Sequence, residues 1–233
     1  KHIVFKAFLF SCATILAVDL IIPVLDEFSK NYLKGETYHF FDNFIRAAFL
    51  EEFFKFIVIV FYCTRKADFD EPMDGLVYGV AASLGFAAYE NIGYVLSFYK
   101  EPSFNIAIVR AFSAVPMHAL CGVIMGFLIQ QTIFEKEHNY LNLILALLIP
   151  VGMHGLYNYS YASSLISNQV ANVILFVFFL RAIFMFRGLK SKQLEGIISH
   201  KKYFIINKNI FVQVSTTVLL FYLILTYIVN IVL

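Results

Sequence analysis

Charged residues are scarce in this chain. Asp, Glu, Lys and Arg make up 15% of its 233 residues, whereas hydrophobic residues make up 60% and the mean hydropathy is +0.75. Soluble domains carry about 25% charged residues, so this composition excludes a soluble globular protein. The formal net charge of +2 argues against nucleic acid as a partner, because nucleic-acid-binding domains are strongly basic.

Cysteine is rare as well. Cys12, Cys63 and Cys121 include no C-x-x-C pair, which excludes a disulfide framework and a zinc site made of thiolates. We interpret all three as small buried hydrophobes. The chain also lacks internal repeats, low-complexity tracts and an H-E-x-x-H helix, so the usual signature of zinc proteases is absent.

Long apolar stretches are what the chain does contain. They are continuous rather than alternating, which excludes a membrane β-barrel. A helix needs about 20 apolar residues to cross the bilayer. Seven stretches qualify: 3–25, 41–63, 75–98, 104–133, 141–161, 168–187 and 209–232. The sequence therefore predicts an all-α, polytopic membrane bundle of about seven helices. The first stretch is too long for the apolar core of a signal peptide, so we expect it to be retained as a span.

These stretches use up the chain, so we expect one transmembrane domain over residues 1–233. Its core is predicted at 42–161, because the polar motifs described below fall there, and the helices at 3–25, 168–187 and 209–232 are predicted to be peripheral. Gly75 and Gly79 in the third stretch, with Gly122 and Gly126 in the fourth, form small-x-x-x-small patterns. Such patterns predict close contact between two helices.

The orientation of the bundle follows from its basic residues. They concentrate at the N-terminus and in the loops after the second, fourth and sixth stretches: Lys1, Lys6, Arg65, Lys66, Lys136, Arg187, Lys190, Lys192, Lys201, Lys202 and Lys208. The opposite loops carry only Lys30, Lys34 and Lys100. The positive-inside rule therefore predicts a multi-pass protein of the cytoplasmic membrane with its N-terminus in the cytoplasm.

Ionisable residues inside the predicted spans are the unexpected feature. They are Asp19, Arg46, Glu51, Glu52, Lys55, Glu90, Arg110, His118, His154 and Arg181. A charge at the centre of a span costs about 2.5–3.5 kcal/mol, whereas a Leu, Ile or Phe contributes only about 0.3–0.6 kcal/mol. The second span carries three charges within five residues, so we expect it to face the protein interior or a water-filled cavity.

The spacing of those three charges suggests a division of roles. Lys55 lies four residues after Glu51 and three after Glu52, so it can reach either carboxylate. One glutamate can then be neutralised while the other serves as a general base, because neighbouring carboxylates in a low dielectric titrate apart. A buried ion-pair cluster that only fixes helix packing explains the pattern equally well.

Three further spans carry polar groups at a similar depth. The third contributes Glu90 and Asn91, the fourth His118, and the fifth His154 and Asn158 at i,i+4. Taken singly, each is as well explained by a satisfied core residue. At 1.5 Å per residue these groups and the glutamates all fall about 10–20 Å below the outer surface. The convergence predicts one common site in the outer half of the membrane.

The set Glu51-Glu52-Phe53-Phe54-Lys55, Phe86-x-x-x-Glu90-Asn91, His118 and His154-x-x-x-Asn158 resembles the PrsW family of intramembrane proteases. It is more distantly similar to the CAAX prenyl endopeptidase and Abi superfamily. The resemblance implies cleavage of a single-pass, membrane-anchored protein such as an anti-sigma factor near its extracytoplasmic side. Two departures from the CAAX branch stand out: Glu90 replaces a histidine, and Lys55 lies one residue closer to the glutamates than the expected arginine.

The resemblance also implies roles for individual residues. The implied catalytic residues are Glu51, Glu52, Lys55, Glu90, His118, His154 and Asn158. Glu51 is favoured as the base, and His154 with Asn158 as donors to the oxyanion. His118 and Glu90 are expected either to orient the water or to bind a metal. The predicted metal site is a zinc ion held by His118, His154 and the carboxylate of Glu90, and no other cofactor is implied. The expected partners are the substrate and the bilayer; the oligomeric state is not predicted.

Two other classes of function compete with this interpretation. A proton- or ion-coupled transporter also places glutamate and histidine inside its spans. Transporters of this kind usually show inverted repeats or broken helices in matching halves, and the sequence shows no such symmetry. A catalytically inactive binding protein would keep the scaffold but lack part of the polar set, which is complete here.

Overall fold

The structure, a computed structural model, describes residues 2–97, 103–135, 140–195 and 202–232, and within them it contains helices and no strand. The α-helices are α1 (His2–Tyr32), α2 (Gly35–Phe41), α3 (Leu50–Ile57), α4 (Pro72–Ser97), α5 (Ser103–Phe112), α6 (Ala114–Phe134), α7 (Tyr140–Ala162), α8 (Gln169–Leu194) and α9 (Lys208–Val232). Two π-helical segments, Asp42–Phe49 and Val58–Cys63, flank α3. The predicted all-α class is confirmed.

Five stretches in the described ranges are long and apolar enough to cross a membrane: His2–Tyr32, Phe104–Phe134, Tyr140–Ala162, Gln169–Leu194 and Lys208–Val232. Two other long helices, the one running from Gly35 to Cys63 and α4, contain the glutamates of the predicted spans, Glu51, Glu52 and Glu90. Together they make about seven long helices, so the predicted polytopic bundle is confirmed. The cytoplasmic position of the N-terminus stays a prediction.

The first helix is longer than the predicted span. It continues past Pro23 to Tyr32, where the sequence suggested an end near residue 25. An i,i+4 ion pair between Asp26 and Lys30, at 3.5 Å, lies on this extension, and such pairs stabilise a helix surface. Asp26 also pairs with Arg46 of the next helix, which ties the extension to the bundle.

The helix that carries the paired glutamates changes its geometry twice. A π-helical segment precedes α3 and a second one follows it. In a π-helix each N–H bonds to the carbonyl five residues back, and such turns occur frequently at functional sites. Glu51, Glu52 and Lys55 thus occupy two regular α-helical turns between two wider segments.

The closest helix contact joins α4 to α6. A Cβ atom added to Gly75, Gly79, Gly122 or Gly126 would overlap the backbone of the opposite helix. The predicted small-residue contact is therefore confirmed. It matters for the site because α4 carries Glu90 and α6 carries His118, and close backbones let the two side chains meet.

We expect the substitution Gly79→Ala to destabilise the protein, because its methyl group would collide with the backbone at Gly122. Overpacking of this kind typically costs about 1–3 kcal/mol. Thermal unfolding in detergent should show a lower midpoint than wild type. Gly188→Ala is the matched control, since nothing lies within 4 Å of its added Cβ. Equal midpoints for both variants would contradict the close contact.

The helices outside the contact between α4 and α6 differ in how they are attached to the bundle. α1 and α8 are mostly exposed and present apolar rows such as Phe5, Leu20 and Phe176, as expected for surfaces that face lipid. α9 is anchored more firmly: the Tyr222 hydroxyl donates to the Leu148 carbonyl at 2.8 Å. The division into a motif-bearing core and peripheral helices remains a prediction.

Candidate active site

A fully buried ion pair lies at the base of the site. The Lys55 ammonium contacts Glu52 Oε1 at 2.8 Å, and both side chains are 0% exposed. They lie three residues apart on α3 and so share one helix face. Of the two carboxylates within reach of Lys55, the structure pairs it with Glu52, which leaves Glu51 free of the lysine.

His154 on α7 contacts the same carboxylate. Its Nδ1 lies 2.9 Å from Glu52 Oε1, and its Nε2 lies 3.9 Å from Glu51 Oε2. A carboxylate only accepts hydrogen bonds, so Nδ1 is the donor. In the neutral ring Nε2 then carries the lone pair. Glu52 therefore aims an unprotonated nitrogen of His154 toward Glu51.

His118 on α6 is oriented in the opposite sense. Its Nδ1 lies 2.8 Å from the Lys55 ammonium, and its Nε2 lies 2.9 Å from Glu90 Oε2. An ammonium only donates hydrogen bonds, so Nδ1 accepts and Nε2 donates to Glu90. The rings of His118 and His154 meet edge to face with centroids 5.0 Å apart. Because Lys55 bonds to His118 and Glu52 bonds to His154, two residues of α3 determine the tautomers of both histidines.

Glu90 pairs with Arg110, a residue that sequence reasoning did not include in the predicted site. Arg110 Nη2 lies 2.9 Å from Glu90 Oε2. The Arg110 Nε donates to Asn91 Oδ1, and the guanidinium lies 3.8 Å from the centroid of the Tyr94 ring. Its presence inside a predicted span was a signal for a buried partner, but which carboxylate it meets depends on how α5 packs.

Glu51 and Glu52 each have one carboxylate oxygen without a hydrogen-bond partner among the described residues, but only the Glu51 side chain is partly exposed. Glu51 Oε2 is buried and has no hydrogen-bond partner among the described residues, while the side chain as a whole is 12% exposed. The other Glu52 oxygen, Oε2, is also unpartnered but belongs to a side chain that is 0% exposed. A buried carboxylate oxygen without a partner is costly. Its retention beside a cavity indicates that it binds something.

The cavity at Glu51 has a volume of about 840 Å³. Five of the predicted site residues line it: Glu51, Glu90, His118, His154 and Asn158. Glu52 and Lys55 lie behind this lining, in contact with His154 and His118 respectively. The structure thus brings all seven predicted residues to one place.

The remaining ionisable residues of the predicted spans lie partly at this cavity and partly on the surface of the bundle. Asp19 and Arg46 line the same cavity, and Arg46 is paired with Asp26 and, at 3.3 Å, with Asp42. Arg181 is exposed on α8.

A larger apolar groove of about 1380 Å³ runs along α1, α4, α6 and α8. It contains none of the seven predicted residues, so the chemistry belongs to the smaller cavity.

Three side chains are arranged so that they could share a metal ion. Glu51, His118 and His154 each offer one ligand atom, and these atoms all lie within 4.8 Å of one another. Carboxylate oxygen and imidazole nitrogen are zinc ligands. The sequence placed Glu90 in this set; in the structure Glu51 takes that position, because Glu90 is turned toward Arg110 and His118.

His154 and Glu51 fit a metal most directly. Metal-binding histidines usually donate their other N–H to a carboxylate, and His154 does so to Glu52. Glu51 contributes the unpartnered oxygen. His118 is hydrogen-bonded through both ring nitrogens, so it completes the set only by giving up one of these two bonds.

Comparisons with known proteins find relatives that are named as proteases. The Protease PrsW of Bacillus subtilis is 34% identical over 180 residues, which cover 77% of this chain and 78% of the relative. The Protease PrsW of Oceanobacillus iheyensis is 36% identical over 62% of this chain and 66% of its own length. That of Clostridioides difficile is 27% identical over 84% and 80%. No solved structure matches the chain.

A family described as "PrsW family intramembrane metalloprotease" matches residues 1–183, which include α1 to α7 and every residue of the candidate site. The match stops within α8, so α9 lies outside it. Because the match covers well over half of the chain, and the Bacillus subtilis relative is 34% identical over 77% of it, this chain belongs to the PrsW family of intramembrane metalloproteases.

Proposed function

We propose that this protein hydrolyses a peptide bond of a membrane-anchored protein inside the outer half of the membrane. The observation that carries the proposal is Glu51: at the cavity its carboxylate has an oxygen with no hydrogen-bond partner in the described part of the chain. A structural ion-pair cluster would satisfy both glutamates. Here Lys55 neutralises one of them only, and the other remains available to bind water.

Glu51 is the general base in this proposal. It accepts a proton from a water molecule in the cavity, and the resulting hydroxide attacks the carbonyl carbon of the scissile bond. Glu51 then returns the proton to the amine nitrogen, which leaves as the C–N bond breaks. Glu52 and Lys55 are positioning residues, because both are 0% exposed and reach the cavity only through the two histidines. A correctly placed general base contributes about 10²–10⁴-fold in rate.

Asn158 is the donor we assign to the oxyanion. Its side chain lines the cavity on the same helix as His154, and an amide N–H can stabilise the charge that develops on the carbonyl oxygen. Sequence reasoning assigned this role to His154 as well. In its neutral form the His154 ring presents a lone pair toward the cavity, because its Nδ1–H donates to Glu52, so His154 serves better to bind the water or a metal.

The substrate class follows from the location of the site. A peptide bond can reach Glu51 only within the membrane region, so the substrate is itself membrane-anchored. A helix protects its backbone by internal hydrogen bonds, and the segment to be cut must be unwound to expose its carbonyl. A single-pass protein of the anti-sigma-factor kind, cut near its extracytoplasmic side, is the substrate we propose.

Zinc is the metal that suits this set of donors. Glu51 and His154 would hold it, and His118 would be a third ligand only by exchanging one of its two hydrogen bonds for the metal. Bound there, zinc would lower the pKa of a coordinated water and polarise the scissile carbonyl. The roles of Asn158, Glu52 and Lys55 remain those given above.

Zinc binding should depend on these donors unequally. We expect His154→Ala and Glu51→Gln to weaken zinc binding by more than the 10–100-fold that is typical of residues outside the first coordination shell. His118→Ala should have a smaller effect, because both of its ring nitrogens are already engaged. Equilibrium dialysis of the purified protein with zinc measures this. Equal losses in the three variants would contradict the order that the hydrogen bonds indicate.

The proposed function is tested by reconstitution in sealed vesicles with single-pass membrane proteins as substrates. Wild-type protein should yield two fragments, with the cut located in the outer part of the substrate span by mass spectrometry. Asn158→Ala should slow cleavage by about 10²–10³-fold, the value of one oxyanion donor. If wild-type protein cleaves none of the substrates but carries protons or ions across the vesicle membrane, the protease proposal is wrong.

A further inference from the structure

Arg110 is a buried cation of the site that the proposed mechanism does not use. Its side chain is only 15% exposed, and it lies on α5, which packs mainly against α4 and α6. α5 ends at Phe112 and α6 begins at Ala114, with Ser113 in a non-helical conformation between them (φ −128°, ψ −73°). Arg110 and His118 therefore lie on opposite sides of a helix break.

Despite this break, both side chains meet one atom. Arg110 Nη2 and His118 Nε2 each lie 2.9 Å from Glu90 Oε2. Eight residues along an unbroken helix would separate the two Cα atoms by about 12 Å. The carboxylate of Glu90 thus joins α4 to helices on both sides of the break.

Without Arg110 the charge of Glu90 would be poorly compensated. The remaining partner of Glu90 in the described part of the chain is the neutral His118 ring, whose Nε2 donates to it. Two further contacts of Arg110, the hydrogen bond to Asn91 and the position over Tyr94, fix the guanidinium to α4. An arginine held at three points is a rigid support, since its planar fork loses little freedom on binding.

Resting on the function proposed above, we propose that Arg110 is a positioning residue of the protease, holding Glu90 against His118. Glu90 then stays away from Glu51, and Glu51 remains the only carboxylate in the described part of the cavity that faces the two histidines with a free oxygen. Loss of Arg110 releases Glu90 into the cavity, where a second carboxylate competes with Glu51 for water and repels its charge.

Kinetics of Arg110→Gln, Glu90→Gln and the double variant test this. We expect kcat to fall about 10–100-fold for each single variant, as is typical of residues that orient catalytic groups, with KM unchanged. The double variant should be no slower than Glu90→Gln alone, because Arg110 acts through Glu90. Arg110→Lys should recover part of the loss, since an ammonium still pairs with Glu90 but lacks the fork that also reaches Asn91.

Several results would overturn the proposal. Additive losses in the double variant would show that Arg110 acts elsewhere, and a raised KM with unchanged kcat would make it a substrate-binding residue. A lower unfolding temperature with no rescue by Arg110→Lys would leave it a structural role only. Arg181→Gln is the control, because Arg181 is exposed on α8 outside the cavity, and it should match wild type in every measurement.

A second readout does not depend on activity. The chain contains no tryptophan, so Tyr94→Trp creates a single indole, excited selectively over the tyrosines, beneath the Arg110 guanidinium. Adding Arg110→Gln should shift the emission of this indole, because the cation over its face is lost. Identical spectra would show that α5 does not hold Arg110 on α4. If wild-type protein cleaves nothing, the proposed function fails, and this spectrum still decides whether Arg110 is placed as we propose.

Discussion

Replacing Glu51 with glutamine is expected to lower the cleavage rate by about 10²–10⁴-fold, the contribution typical of a general base, without lowering the stability of the protein. Glutamine has nearly the shape of glutamate but cannot accept a proton from water at neutral pH. Glu51 takes part in no ion pair with a lysine or arginine in the described residues, and its Oε2 is buried without a partner. Removing its charge therefore relieves a cost of burial.

The measurement combines initial rates in vesicles with thermal unfolding of the same preparation. Glu27→Gln is the matched control, because Glu27 is exposed near the end of α1 and does not line the cavity; it should retain wild-type rates. A Glu51→Gln protein that unfolds at a lower temperature than wild type would show that Glu51 is a structural residue. Normal cleavage by a folded Glu51→Gln protein would remove it as the base.

Breaking the buried ion pair of Glu52 and Lys55, unlike replacing Glu51, should lower the stability of the protein. Lys55→Met should lower the free energy of unfolding by about 3–5 kcal/mol, because it leaves the carboxylate of Glu52 buried without its cation. The double variant Glu52→Gln, Lys55→Met should recover most of this loss, since neither charge remains. Replacing a buried ion pair by neutral groups of similar size is often close to neutral for stability.

Recovery of stability should not bring recovery of activity. His154 would lose the carboxylate that orients Nδ1, and His118 would lose the ammonium that orients its own Nδ1. We therefore expect the double variant to fold and to cleave substrate at a small fraction of the wild-type rate. Unfolding in a denaturant series, with both single variants and the double variant, gives the coupling energy of the pair. Additive losses of stability would contradict a direct buried pair.

The roles of these residues could be predicted from the sequence only in part. The pattern Glu51-Glu52-x-x-Lys55 predicted one neutralised and one free glutamate, because i,i+3 and i,i+4 neighbours share a helix face. It did not decide which glutamate Lys55 would choose. That choice depends on the rotation of α3 toward α6 and α7, where His118 and His154 take up the remaining bonds of Lys55 and Glu52.

Arg110 and the third metal donor are the clearest cases that sequence reasoning left open. Arg110 was visible as a charge inside a span, but its partner Glu90 lies 20 residues away on another helix. The sequence grouped Glu90 with the histidines as a metal ligand, whereas the structure brings Glu51 to within 4.8 Å of both. A helix break at Ser113 and two π-helical segments around α3 shift the side chains by amounts that periodicity does not reveal.

The sequence by itself determined the membrane bundle and the family, and it predicted a common depth for the polar residues. These follow from local quantities: the length of apolar runs, the cost of a charge in lipid, and the motifs on successive spans. Only the tertiary structure decided which carboxylate is paired and which is free, and which nitrogen of each histidine carries its proton. Those properties depend on contacts of about 3 Å between helices far apart in the chain, and such distances are set by packing.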